Sequence, residues 1–347
     1  MTENAPLISV CIISRGRGPL LGACLQSLKS QQMAPSFEVL VGSKRKTEIE
    51  HDVRSFFPDA TVEVVVHSLP GGGRNSLIEK ARGELLLFID DDVETHPYLL
   101  ARLARLADDL PEVGVFGGPN LTPGGSSRFQ IIQGAVLGSM VTSGPIRRRY
   151  GEHPSGAADE RSLILCNLAV RRSTMRPFQT DLACAEENQL LLELENRGVK
   201  MHYDPALVVY HERRDTPKGF SRQIYKYGYG RGQVLRRNPK STRPAYLVPS
   251  ATLIYVVLSP ALSMVGSWTL APLAAYCLFV LAGGAKVAAS LKHISAWATA
   301  TGLIMLVHGC YGWGVLVGLT ASTGSRSSRK TEAVIDAEAR ALETAEV

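Results

Sequence analysis

Three consecutive carboxylates directly follow a short apolar run in the first third of the chain. The run covers residues 85–89 and is typical of a buried strand, and Asp90, Asp91 and Asp92 come immediately after it. Acids crowded in this way repel one another, which is costly unless a cation lies among them. Their hard oxygen atoms suit Mg²⁺ or Mn²⁺, ions that commonly accompany phosphate-bearing substrates. The motif predicts a metal and nucleotide site; an acidic turn that caps the next helix is the alternative.

Two further polar clusters favour a ligand site over a solvated turn. A glycine-rich turn that carries Arg74 and Asn75 opens the helix before the apolar run, and Glu186 and Glu187 open a later helix. The aspartates themselves follow an inner strand, and open α/β sheets bind ligands at the carboxyl ends of such strands.

The elements that must position these groups alternate between strand and helix. Apolar runs at 7–14, 37–43 and 61–67 read as strands, and the segments between them have helical spacing. This alternation predicts an α/β fold with a mostly parallel, doubly wound sheet. Residues 120–160 are rich in Gly, Ser and Pro, and we expect a mobile loop region over the site there.

The composition changes abruptly near residue 245. Earlier residues read as a soluble domain, whereas residues 245–321 are overwhelmingly apolar. This region contains three stretches of about twenty residues, each long enough to cross a hydrocarbon core of about 30 Å. We predict two to three transmembrane helices in 245–321, with buried helices of a soluble protein as the alternative, and a cytosolic or exposed polar tail in 322–347.

Basic residues are concentrated just before the apolar region. Residues 212–244 carry ten Lys or Arg and two acids, and the whole chain has a formal net charge of +6. A basic block of this kind suits nucleic acid or anionic lipid, and its position beside apolar spans favours lipid. We predict an interfacial amphipathic segment at 212–244, with Tyr225, Tyr227 and Tyr229 at headgroup depth, and no nucleic-acid partner. A solvated basic linker is the alternative.

The ends of the chain and its cysteines give weaker information. The N-terminal sequence lacks a basic region followed by an apolar core, so we expect the soluble domain on the cytosolic side of the cell membrane, carried by a multi-pass anchor. The six cysteines show neither a CxxC pair nor ligand-like spacing, and we expect buried thiols without disulfides or zinc.

Taken together, the motifs resemble those of family 2 inverting glycosyltransferases of the GT-A fold. The resemblance covers residues 7–320 and rests on SVCIISRGRGPLLGACLQSL, GGGRNSLIEKARGELLLFIDDD, NLAVRRS, EENQLL, YDPALVVYHERR and YKYGYGRG. It is greatest to membrane-attached enzymes of bacterial exopolysaccharide synthesis, of the succinoglycan glucosyltransferase type. The resemblance implies a Rossmann-like GT-A domain in residues 1–211, followed by transmembrane helices.

The resemblance also implies roles for the metal-site residues. Asp90 and Asp92 match the outer positions of the DxD motif, where Asp92 binds the divalent metal and Asp90 contacts the ribose or metal-bound water. Asp91 occupies the variable middle position, as a donor-binding residue or a helix cap. His211 matches a histidine that completes the metal site in many GT-A enzymes, and a purely structural histidine is the alternative.

The same resemblance assigns the catalytic and nucleotide-binding groups. Glu187 matches the general base of the family's ED motif, with Glu in place of the usual Asp, and Glu186 could exchange roles with it. The alternative is that both acids only interact with the helix N-terminus. Arg74 matches an arginine that contacts the nucleotide, and Asn75 fixes the loop of that nucleotide site.

The sequence departs from the family at residues 41–44. An acidic residue that binds the nucleobase is common there, but this chain has Gly42 and Ser43. Arg15 and Arg17 follow the first strand and could compensate by binding the donor, or they are ordinary surface charges.

These assignments imply a metal-dependent hexosyltransferase with a nucleotide-sugar donor. The acceptor would be a hydroxyl of a lipid-linked saccharide or a polysaccharide at the cytosolic membrane face. Two alternatives stay open: a polyprenyl-phosphate glycosyltransferase, and an inactive scaffold of a polysaccharide assembly complex.

Overall fold

A computed structural model describes residues 5–16, 18–65, 69–182 and 184–321. Arg17, residues 66–68 at the end of the predicted third strand, and the predicted tail at 322–347 lie outside the described residues. The chain divides into two compact units. The first unit contains Met1–Phe116 and Leu168–Met201, and the second contains Gly117–Asn167 and His202–Leu319.

The strands and helices follow one another along both units. The strands are β1 (Ile8–Ser14), β2 (Phe37–Ser43), β3 (Thr61–Val64), β4 (Leu85–Asp90), β5 (Val93–Thr95), β6 (Val113–Gly117), β7 (Asn120–Leu121), β8 (Gly156–Ala158), β9 (Leu168–Arg171), β10 (Lys200–Tyr203) and β11 (Val209–His211). The α-helices are α1 (Gly18–Lys29), α2 (Lys46–Phe56), α3 (Pro70–Lys80), α4 (Leu99–Asp109), α5 (Arg128–Leu137), α6 (Met140–Ser143), α7 (Glu186–Asn196), α8 (Pro217–Arg237), α9 (Val248–Ser263), α10 (Ala271–Ser290) and α11 (Trp297–Thr320).

The first unit is built on a mostly parallel sheet, which confirms the prediction from strand and helix alternation. Its strands lie in the order β3-β2-β1-β4-β9-β6. The pairs among β3, β2, β1 and β4 are parallel, and β9 runs antiparallel to β4. The register places Ile13 of β1 opposite Asp90 of β4, so both strands end at the same edge.

The core of this sheet follows from two hydrophobic patterns. β1 and β4 are almost continuously apolar because both of their faces are covered, as in parallel α/β sheets. α4 instead buries Leu99, Leu103 and Leu106 at helical spacing and exposes its polar face. Each fully buried Leu contributes about 1.5–3 kcal/mol relative to an exposed one.

The glycine-rich segment before Arg74 is helical, which corrects the expectation of a turn. α3 begins at Pro70, a residue suited to the first helical position. A Cβ atom on Gly73 would lie 2.8 Å from Cγ1 of Val65, and one on Gly71 would collide with the carbonyl oxygen of Gln179. Close packing of the helix start therefore requires glycine here, although glycine is a poor helix former.

Residues 120–160 of the second unit are also ordered, and the prediction of a mobile loop region was wrong. Ser127 and Gln130 form a reciprocal capping box that starts α5, and Ser139 caps α6. A 3-10 helix follows at Gly144–Tyr150. The many Gly and Ser residues suggested a loop, but the serines satisfy backbone N–H groups at helix starts.

The C-terminal part of the second unit contains two helical segments long and apolar enough to cross a membrane. They are Ser267–Ser290 and Ile294–Thr320, whereas the first apolar stretch forms the shorter helix α9. Two such segments agree with the predicted range of two to three, on length and composition alone.

Glycines allow α8 and α11 to pack backbone against backbone. Cβ atoms on Gly228 and Gly232 of α8 would collide with the carbonyl oxygens of Tyr311 and Val315. On α11, a Cβ on Gly314 would lie 2.8 Å from the backbone nitrogen of Tyr229. Tyr229 is buried by this packing, and its headgroup position stays a prediction.

Candidate active site

At the end of β4, the middle aspartate points into the protein. Asp91 is 1% exposed, and its Oδ2 accepts hydrogen bonds from Ser14 Oγ (2.9 Å) and from the backbone N–H of Arg15 (3.2 Å). These bonds fix the chain where it leaves β1. Asp91 is not a helix cap, because β5 follows it and α4 begins only at Leu99. The side chain of Arg15 is exposed.

Arg74 joins the two acidic motifs of the first unit. Its guanidinium is buried, with Nη1 2.5 Å from Glu186 Oε1 and Nη2 3.4 Å from Asp90 Oδ1. The ring of Phe178 lies beneath it, with its centroid 5.9 Å from Cζ. A charge-assisted bond of this kind is strong and directional, so Arg74 holds the start of α7 close to the end of β4.

Asn75 ties α3 to the segment that precedes α7. Its Nδ2 donates to the carbonyl oxygen of Phe178 at 2.9 Å, and its Oδ1 accepts from the Phe178 N–H at 2.8 Å. The Phe178 ring also packs edge-on against Phe88 of β4, 5.2 Å between centroids. Sequence reasoning missed Phe178, because a single aromatic residue in a polar loop belongs to no motif.

The start of α7 separates the two neighbouring glutamates. Ala185 lies just before the helix in the left-handed region, with a φ of 64°. An L-residue pays about 1–2 kcal/mol for this conformation, and such strain is often found at functional sites. The turn buries Glu186 against Arg74, whereas Glu187 is half-buried and accepts a 2.8 Å hydrogen bond from Asn188 Nδ2.

Burial and the neighbouring charges shift the pKa of Glu186. Burial raises the pKa of Glu186; Arg74 opposes this shift, and the neighbouring charges of Glu187 and Asp90 add to it. Glu186 is thus paired with a buried cation. Of the two acids, Glu187 is the more exposed.

The two outer aspartates of the run differ in exposure. Asp92 is 8% exposed, and the Asp90 side chain is 34% exposed. Asp91 binds Ser14 and Arg15, whereas Asp90 and Asp92 occupy the alternate positions on either side of it. Carboxylate oxygens of this kind fit a hard divalent cation.

The predicted histidine lies in the second unit, beside a cysteine. His211 ends β11, and a ring nitrogen lies within 4.8 Å of the Sγ atom of Cys166. Both residues are buried. β11 pairs with β7, and Asn120 of β7 donates a hydrogen bond from Nδ2 to the Cys166 sulfur at 3.3 Å. No spacing rule pointed to Cys166.

Arg213 makes its hydrogen bonds within the second unit. Its Nη2 donates to the backbone oxygen and Oδ1 of Asn120 at 2.7 and 3.0 Å, and its Nε donates to Thr122 at 3.2 Å. Burial lowers its pKa.

The sequence model of the family described as "Glycosyltransferase like family 2" matches residues 5–230, which is more than half of the chain. The chain is a family 2 glycosyltransferase. The match includes the three aspartates, Arg74, the glutamate pair and His211.

Two curated relatives resemble this glycosyltransferase over part of its length. The uncharacterized protein y4gI of Sinorhizobium fredii is 29% identical over 161 residues, which are 44% of this chain and 17% of that protein. The O-antigen biosynthesis protein RfbC of Myxococcus xanthus is 26% identical over 217 residues, which are 57% of this chain and 17% of that protein. The chain thus spans about a sixth of the length of these relatives.

A solved structure shows the fold of this glycosyltransferase. The mannosyltransferase PcManGT from Pyrobaculum calidifontis, in complex with GDP-Man and Mn²⁺, superposes with a TM-score of 0.57 at 16% identity. The match covers 91% of this chain and 88% of PcManGT. The fold is therefore GT-A with a mostly parallel central sheet, as the resemblance implied.

Proposed function

We propose that this glycosyltransferase transfers a hexose from a nucleotide-sugar to a hydroxyl group, with inversion at the anomeric carbon. The acceptor would be a lipid-linked saccharide or a polysaccharide at the cytosolic membrane face. The observation that carries the proposal is the half-buried Glu187, held next to the buried Arg74–Glu186 ion pair at the start of α7.

In this mechanism Glu187 is the general base. Its carboxylate takes the proton of the acceptor hydroxyl as the acceptor oxygen forms a bond to the anomeric carbon and the bond from that carbon to the diphosphate oxygen breaks. Arg74 and Glu186 keep Glu187 in position by fixing the first turn of α7. Arg74 and Asn75 also hold the donor side of the site through their contacts with Asp90 and Phe178.

Asp92 and Asp90 would hold Mg²⁺ or Mn²⁺, and His211 stays a predicted third ligand. The oxygen donors of the two aspartates fit such an ion. When bound, the cation neutralises negative charge on the leaving diphosphate. PcManGT, which shares the fold, was solved with Mn²⁺ and GDP-Man.

Two observations support a lipid-linked acceptor. The second unit contains the two candidate membrane spans, and RfbC, a relative at low identity, is named for O-antigen biosynthesis. The presence of a base argues against a polyprenyl-phosphate acceptor. A phosphate oxygen is already a nucleophile and needs no carboxylate to activate it. A Glu187→Gln variant with full activity would favour that alternative.

The test is thermal stabilisation of the detergent-purified full chain by a panel of nucleoside diphosphates, with Mn²⁺ and with EDTA. A ligand at a hundred times its Kd adds about 2.7 kcal/mol to the stability of the state that it binds. We expect one nucleotide to stabilise the wild type only with metal, Asp92→Ala to abolish this effect, and Asp108→Ala, an exposed acid of α4, to retain it. No stabilisation by any nucleotide would refute the proposal and favour the scaffold alternative.

A further inference from the structure

Cys166 of the second unit is held in a different way from the buried cysteines of the first. The thiols of Cys11 and Cys24 point at the backbone carbonyl oxygens of Ser9 and Asp90, at 3.9 and 3.7 Å, and therefore act as donors. The sulfur of Cys166 instead accepts a hydrogen bond from an amide N–H. A sulfur atom that accepts a hydrogen bond lies in an environment that also suits a sulfur atom donating an electron pair to a metal.

A chain of polar contacts directs positive potential toward this sulfur. Arg213 donates to the oxygen atoms of Asn120, and Asn120 in turn donates to Cys166 Sγ. All three residues are buried, so water screens this arrangement little. The positive end of the Asn120 amide dipole thus faces the sulfur, as it would face a sulfur that carries negative charge.

The backbone around Cys166 is fixed as well. The next residue, Asn167, donates from Nδ2 to the carbonyl oxygens of Leu207 at 2.6 Å and Pro119 at 3.4 Å. These bonds lock the 3-10 turn Leu165–Asn167 against the strands that carry Asn120 and His211. Outer contacts that orient a ligand in this way are a regular part of metal sites.

We propose that Cys166 Sγ is a metal ligand alongside His211, so that the enzyme selects a transition-metal ion over Mg²⁺. The proposal rests on the metal dependence of the proposed function, and both Cys166 and His211 belong to the second unit. On coordination the thiol releases its proton to solvent, and the sulfur electron pair forms the bond to the metal. Sulfur and imidazole ligands favour transition metals, whereas Mg²⁺ takes oxygen ligands almost exclusively.

The competing interpretation is a buried thiol that only fills space, which is common for cysteine. The two interpretations predict different absorption spectra for the protein with bound Co²⁺. A sulfur ligand gives Co²⁺ an intense thiolate-to-metal charge-transfer absorption in the near ultraviolet, whereas oxygen and nitrogen ligands alone do not. A packing role predicts no band that depends on Cys166 at any Co²⁺ concentration.

The experiment is a Co²⁺ titration of the full chain in detergent, followed by absorbance, without nucleotide. We expect a charge-transfer band in the wild type, its loss in Cys166→Ser, and its retention in Cys277→Ser, whose cysteine is exposed in the same unit. We also expect Cys166→Ser to weaken Co²⁺ binding by at least about tenfold while Mg²⁺ binding changes little, the lower end of what metal-site contacts contribute.

The outcomes separate this inference from the proposed function. Wild-type protein that binds Co²⁺ without a charge-transfer band, while a nucleotide with Mn²⁺ still stabilises it, would overturn the role of Cys166 and leave the transferase proposal intact. A band that Cys166→Ser abolishes, without nucleotide stabilisation of the wild type, would support Cys166 and refute the transferase proposal. Equal loss of the band in both cysteine variants would also overturn the inference.

A measurement on the wild-type protein tests the inference even if Cys166→Ser does not fold. The ¹¹³Cd resonance of Cd²⁺-loaded wild type shifts strongly downfield when sulfur is a ligand. We expect a downfield signal that contains one sulfur contribution. A signal typical of oxygen and nitrogen ligands only would overturn the inference.

Discussion

Replacing Glu186 and Glu187 by Gln, one at a time, separates positioning from proton transfer. The two side chains are neighbours and chemically identical, but their surroundings differ. Glu186 and its partner Arg74 are only 5% and 9% exposed, with 2.5 Å between Oε1 and Nη1. Glu187 is half-buried and accepts a hydrogen bond from the side-chain amide of Asn188.

The loss of folding stability in Glu186→Gln follows from the burial of the ion pair. Breaking a buried pair by removing one partner costs about 3–5 kcal/mol, because the remaining charge stays out of water. Gln keeps an acceptor oxygen for Arg74, so we expect the lower value, about 3 kcal/mol. At about 2–4 °C per kcal/mol for units of this size, the melting temperature should fall by about 6–12 °C.

Glu187→Gln should leave the fold intact and remove the chemistry. The Gln oxygen can still accept from Asn188, and half-exposed substitutions usually change stability by no more than about 0.5 kcal/mol. Loss of a general base lowers the rate by about 10²–10⁴-fold. At 1.36 kcal/mol per factor of ten, this corresponds to about 2.7–5.4 kcal/mol in the activation barrier.

The assay pairs thermal melting of the detergent-purified full chain with release of nucleoside diphosphate. The donor is the one that the thermal-shift panel identifies, and lipid-linked saccharides extracted from native membranes serve as acceptors. Glu193→Gln on the same helix is the matched control, because Glu193 accepts from the amides of Gln179 and Gln189 rather than from a cation. Turnover of Glu187→Gln within about tenfold of wild type would refute the base assignment. An unchanged melting temperature for Glu186→Gln would refute the positioning role.

Two further predictions concern packing and pH. Gly314→Leu should separate α8 from α11 and lower the melting temperature strongly. Gly302→Leu on the same helix should have little effect, because a Cβ there meets no atom within 4 Å. Equal melting temperatures for the two variants would contradict this packing. The second concerns Glu38: burial alone would raise its pKa, but hydrogen bonds from Ser9 and Arg82 outweigh burial and hold the pKa below the ordinary 4.5. This stabilisation is present above pH 4.5 and is lost as the pH falls through the lower, folded-state pKa, so melting curves of Glu38→Gln should show a shallower acid decline than wild type.

The sequence by itself determined the elements that carry the site. β2 spans the predicted 37–43, and β4 ends at the first aspartate, because buried parallel strands are continuous apolar runs that polar residues terminate. α4 could be recognised from its amphipathic period. The family could be recognised from motifs, since each motif is a short stretch of neighbouring residues.

Tertiary structure alone decided what each acid does. The sequence does not distinguish among the three aspartates at 90–92. In the structure, Asp91 binds Ser14, which is 77 positions earlier, and Asp90 lies beside Arg74. Glu186 meets Arg74 across 112 positions. Contacts at such separations leave no local period in the sequence, so the roles of adjacent acids could not be read from it.

The dependence on distant contacts also explains the wrong prediction of a glycine turn and the failure to predict Cys166. The glycines of α3 read as a turn because glycine weakens an isolated helix, yet Gln179 and Val65 leave no room for a side chain there. The pairing of β11 with β7 and the hydrogen bonds of Asn167 help to bring Cys166 and His211 together. Local patterns of polarity determine which segments become strands and helices, because they follow from the burial of one segment at a time. The identity of a ligand, a base or a positioning residue depends on which distant side chain packs against it, and only the folded chain supplies that neighbour.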